Sequence, residues 1–104
     1  MRYWILVGHT PIETDQDEWG RWFEGANRFV SKTTVAVRGH DYEISTIFLG
    51  IEYGDQRTLP QLFETMVFTD DEAWDNYEMR SRSYLEAKKI HRMIEIQVGS
   101  NDKP

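Results

Sequence analysis

The sequence predicts an α+β fold: an antiparallel sheet of four to five strands with two helices packed mainly on one face. Three observations predict it. Between Phe29 and Arg82, β-prone runs follow one another across short turns, a pattern that favours an antiparallel meander. Stretches opening near residues 15 and 83 carry helix-capping signatures followed by apolar residues at helical spacing. The chain has 104 residues, enough for one domain, and its four Trp, five Tyr and five Phe supply a large apolar area. The expected order is β-α-β-β-β-β-α, with residues 1–96 as one domain and 97–104 as a flexible tail.

The first strand is Tyr3-Trp4-Ile5-Leu6-Val7, closed by a turn at Gly8-His9-Thr10-Pro11. Asp15 with Glu18 three residues on resembles a capping box, and Trp19, Trp22, Phe23 and Ala26 then share one helical face. So large an apolar stripe has to lie on a sheet, which makes it core and not a base-stacking platform. Phe29 to Val37 and Tyr42 to Ile51 read as strands joined by a hairpin turn at Arg38-Gly39-His40-Asp41. The second is apolar on both faces and so central. Tyr53 to Pro60 reads as a loop, Leu62 to Phe68 as a strand, and Tyr77 to Arg82 as a more exposed strand. Ser83 and Glu86 form a capping box for a last helix from Tyr84 to Ile96. Its buried stripe is Ala87, Ile90 and Ile94, bordered by His91 and Met93, with Lys88 and Arg92 on the opposite side.

Charge is sorted along the chain. The net charge is −6, which argues against direct nucleic-acid binding. Residues 80–92 nevertheless hold five cations, Arg80, Arg82, Lys88, Lys89 and Arg92, against the single acid Glu86. Arg80 and Arg82 lie two apart before a helix N-terminus, where free N–H groups favour anions. With Lys88, His91 and Arg92 they define a candidate anion site, since Arg forks grip phosphate or carboxylate in pairs of hydrogen bonds. The plainer reading is a solvated face that offsets the neighbouring acids.

Other chemistries have less footing. Glu64 shares a strand face with Leu62, Met66 and Phe68. A buried carboxylate there would make a candidate acid or base, and an Arg-paired one a structural group. The sequence nominates no second catalytic residue, so a small hydrolase is the weakest alternative. His9, His40 and His91 are far apart and lack ligand spacing, so neither a metal nor any other cofactor is expected. The chain has no cysteine, which removes disulfides and thiolate chemistry. The apolar run near the start is too short for a signal core or a membrane span, and the expected location is cytoplasmic, with no membrane partner. The acids at 13–18 and 70–78 could present a nucleic-acid-like surface to a host protein, or serve solubility alone.

Three segments carry a resemblance: Trp22-Phe23-Glu24, Ile44-Ser45-Thr46-Ile47-Phe48-Leu49-Gly50 and Leu62-Phe63-Glu64-Thr65-Met66-Val67-Phe68. With Arg80, Ser83-Tyr84-Leu85-Glu86-Ala87 and His91, they resemble a family of small proteins encoded by bacteriophages and prophages. The chain departs from that family at Tyr53 to Pro60, a loop richer in glycine there. The family brings no established activity. The resemblance implies a phage origin and the cytoplasm of an infected bacterium. The expected function is non-enzymatic: inhibition or sequestration of a host component used in antiviral defence. The partner is a small anionic nucleotide-like ligand or a host protein surface, and a homo-oligomer is compatible with both.

Overall fold

The structure, a computed structural model, describes residues 1–52 and 59–100. It is α+β with antiparallel strands, but the strands divide into two sheets where one was expected. Strands β1 (Arg2–Val7) and β2 (Thr10–Thr14) form a hairpin, followed by α1 (Gln16–Gly25). Next come β3 (Phe29–Val37), β4 (His40–Phe48) and the short β5 (Ile51–Glu52). Further along the chain lie β6 (Phe63–Thr69), a 3-10 turn at Glu72–Trp74, β7 (Glu78–Ser81) and α2 (Tyr84–Ser100). The small sheet has the order β2-β1-β5 and the large one β3-β4-β6-β7, so β4 is central as expected.

Three sequence expectations are corrected. Thr10 and Pro11 do not belong to a turn; they open β2, and only Gly8 and His9 connect the hairpin strands. Pro11 is tolerated because β2 is an edge, where a missing N–H costs no ladder bond. The strand from Tyr42 to Ile51 is broken at Leu49-Gly50, where the chain leaves the large sheet and joins the small one. Gly50 takes φ +78°, and a Cβ there would stand 3.0 Å from Trp19 Nε1, so both conformation and space call for glycine. The last helix runs on to Ser100 because Val98, four residues after Ile94, continues the buried stripe with no exposed surface. Residues 101–104 of the expected tail and 53–58 of the expected loop lie outside the described residues.

α2 covers the face of the large sheet that carries Tyr42, Ile44, Val67 and Thr46. Tyr42, Ile44, Val67, Trp74, Ile94 and Val98 form one core cluster. Asp71 caps the 3-10 turn through Ala73 N–H and accepts a 2.5 Å hydrogen bond from Tyr42 Oη. That bond, with burial, pushes the Tyr42 phenol pKa up. A second cluster of Phe48, Leu62, Phe63 and Ala87 sits where the sheets meet, with Trp4, Leu6, Trp22 and Tyr84 packed on it. α1 lies against β1. Its aromatics are half-buried: Trp22 meets Phe48 edge-on at 5.7 Å, and Trp19 meets Tyr3 at 5.3 Å. The far ends of β3 and α2 are joined by Arg38, in the β3–β4 turn, which donates to the carbonyl of Val98 at 2.5 Å and of Gly99 at 3.5 Å.

Candidate functional site

The second core cluster fixes the tip of the β1–β2 hairpin beside the start of α2. The hairpin turns on Gly8, φ +62°, with glycine at the first central position as a type II′ connection requires. This projects His9 onto Tyr84, and the two rings stack with centroids 3.7 Å apart and planes 5° from parallel. The cleft beside them measures about 590 Å³ and is lined by His9, Thr10, Pro11, Arg82, Ser83, Tyr84, Leu85 and Lys88. Arg82 also lines an adjoining hollow of about 290 Å³, with Trp4, Pro11 and Leu62 among its walls.

The helix start is built as the sequence predicts. Ser83 Oγ accepts from Glu86 N–H at 3.1 Å, and Ser83 O accepts from Ala87 N–H. The amides of Tyr84 and Leu85 have no intrahelical acceptor by position and carry the positive end of the helix dipole. Arg82, two such amides, Lys88 and a flat aromatic pair therefore border one cleft. That combination can hold an anion at one end and a planar ring at the other.

The remaining predicted site residues lie elsewhere. Arg80 pairs across the ladder with Glu64, on the face of the large sheet away from α2. Its Nε donates to Glu64 Oε2 at 3.1 Å, and Glu64 is 9% exposed. The two-residue spacing of Arg80 and Arg82 does not bring them to one side, because β7 ends at Ser81 and the chain bends before α2. Arg92 is exposed and reaches Glu95 at 3.9 Å.

His91 is buried under α2, 3% exposed, and takes no part in the cleft. Its Nδ1 lies 2.7 Å from Thr46 Oγ1 and its Nε2 lies 2.9 Å from Thr33 Oγ1. Thr46 Oγ1 is in turn 2.6 Å from Thr65 Oγ1, so a chain of polar groups crosses the sheet. Burial is the main cause lowering the His91 pKa; Lys88 lowers it further and Glu95 opposes this. Lys88 itself donates to Ser31 Oγ at 3.3 Å from the cleft's edge.

Sequence reasoning missed His9, Pro11 and Tyr84 as cleft residues. A Gly-His pair between two β-prone runs was the available signal, but without β2 recognised there was no hairpin to carry it. Among the described residues no group of three or more His, Asp or Glu is placed to hold a metal ion, and no helix is long and apolar enough to cross a membrane. Compared with family models, curated proteins and solved structures, the chain matches none.

Proposed function

We propose that this chain is a non-enzymatic binding protein of phage origin, working in the cytoplasm of an infected bacterium. It sequesters a small anionic, nucleotide-like host signal used in antiviral defence, by occupancy and not by turnover. One observation carries the reading: the cleft of about 590 Å³ in which Arg82, Lys88 and the free amides of α2 stand beside the stacked His9–Tyr84 pair. The anion is met by Arg82 and the helix start, and the base extends the aromatic stack. Titration calorimetry with cyclic dinucleotides and ADP-ribose derivatives tests it. Binding heats are expected for the wild type. Arg82→Ala should weaken them roughly tenfold or more, the effect of a lost charge-assisted hydrogen bond. Arg80→Ala should leave them unchanged, because Arg80 stands on the other face with Glu64. Absence of heat with the wild type, or equal affinity after Arg82→Ala, sinks the proposal.

A second reading, inhibition of a host protein, has its own observation. Phe29 and Phe68 are 55% and 50% exposed beside a groove of about 530 Å³ on the open face of the large sheet. Exposed aromatics beside a groove are the usual anchors of a protein interface. A Phe29→Ala/Phe68→Ala chain that loses inhibition while keeping its nucleotide heats would favour this reading.

A further inference from the structure

Among the described residues the two sheets have four edges, and three of them are blunted. β5 is two residues long, β7 is four and carries Glu78 and Arg80, and β2 contains Pro11. β3 is different. It is nine residues long, contains neither Pro nor Gly, and has Lys32 as its single charge. Lys32 does not guard the edge, because its Nζ turns back to Glu43 Oε1 at 2.9 Å and lies 5.5 Å from the Phe29 ring centre.

The β3–β4 turn settles which backbone groups look outward. Arg38 and Gly39 have φ of 52° and 79°, the two positive values of a type I′ two-residue hairpin. Val37 and His40, which flank it, then form a hydrogen-bonded pair. Alternation along the ladder aims the N–H and C=O of Val35 and Thr33 at β4, and those of Lys32, Thr34 and Ala36 at the free edge. No hydrogen bond from another described residue reaches the backbone N–H or C=O of those three. Their side chains are exposed on the face away from α2.

We propose that β3 pairs antiparallel with β3 of a second copy of this chain, about a two-fold axis through Thr34. The two large sheets become one continuous sheet. The edge complements itself in this register: Thr34 faces Thr34, and Lys32 faces Ala36. No like charges stand opposite each other, although each copy carries −6 overall. An isologous two-fold contact also closes on itself, leaving no free β3 edge to propagate a fibre.

Light scattering over a concentration series tests the proposal on the full chain. The wild type is expected at twice 12.4 kDa. Thr34→Pro removes an N–H that serves only the intermolecular ladder, once from each copy, and should raise the dimer dissociation constant roughly tenfold or more. Circular dichroism should stay that of the wild type. Thr34→Lys sets like charges opposite each other, disrupts the pair without proline, and should be partly rescued by salt. Because the chain has no cysteine, Thr34→Cys reads the register directly. Facing residues of a hydrogen-bonded pair have Cα atoms about 5.5 Å apart, within disulfide reach, so Thr34→Cys should cross-link on oxidation and Lys32→Cys should not. A wild type that stays at the monomer mass throughout the series overturns the proposal. So does a dimer indifferent to Thr34→Lys, or one that cross-links through Lys32→Cys and not Thr34→Cys.

Discussion

His91 shows how burial overrules the sequence-level character of a residue. On a helical wheel it borders the apolar stripe, and it reads as part of the basic segment because Lys88, Lys89 and Arg92 surround it in sequence. Its real partners, Thr33 and Thr46, belong to strands distant in sequence, and no local pattern announces them. The imidazole's pKa lies below its unfolded value, so the unfolded chain binds the extra proton more readily. Stability from this site is therefore present above about pH 6.5 and lost as pH falls through the lower folded value. Urea midpoints should drop between about pH 7.5 and about pH 5. His91→Gln, which keeps a hydrogen-bonding side chain, should flatten the drop. An equally steep dependence in the variant would place its origin elsewhere.

At the scale of elements, helices and long strands were legible because their signals are local. Asp15 Oδ1 accepts from Glu18 N–H at 2.8 Å, as the capping pattern implies. Alternation places Glu64, Met66 and Phe68 on one face of β6, although Leu62, read with them, precedes the strand and is buried in the second core cluster. The missed element, β2, contains Pro11 and turn-forming neighbours, and exists because β1 offers it a partner. The end of α2 was misread for a related reason. Gln97-Val98-Gly99-Ser100 is polar enough to look frayed, yet Val98 inserts into the cluster with Tyr42 and Trp74. Val98→Ala should cost about 1–3 kcal/mol through lost apolar burial and the cavity left behind. A denaturant melt checks it, and a change within error would show that the last turn does not contribute to the core.

For the whole molecule, the decisive arrangement is the meeting of two sheets at Gly50. The residue reads from sequence as the end of a long strand, and only the three-dimensional path shows that it hands the chain from one sheet to the other. Trp4 N–H donates to Gly50 O at 2.9 Å, while Trp19 and Phe48 close in from the side. Gly50→Ala should destabilise by about 2–3 kcal/mol, since a left-handed conformation costs alanine about 1–2 kcal/mol before the contact with Trp19 is counted. Thermal unfolding followed by tryptophan fluorescence measures it. The same meeting of sheets made the cleft invisible beforehand, since His9 and Arg82 come together only once both sheets are in place. The Arg38 contact has a consequence of its own. Its guanidinium supplies hydrogen bonds to carbonyls that the end of a helix otherwise leaves to water. The final turn of α2 can then stay wound only while the β3–β4 turn is closed, so amide protons in the two segments should exchange with solvent together, as one opening event at the chain's far end.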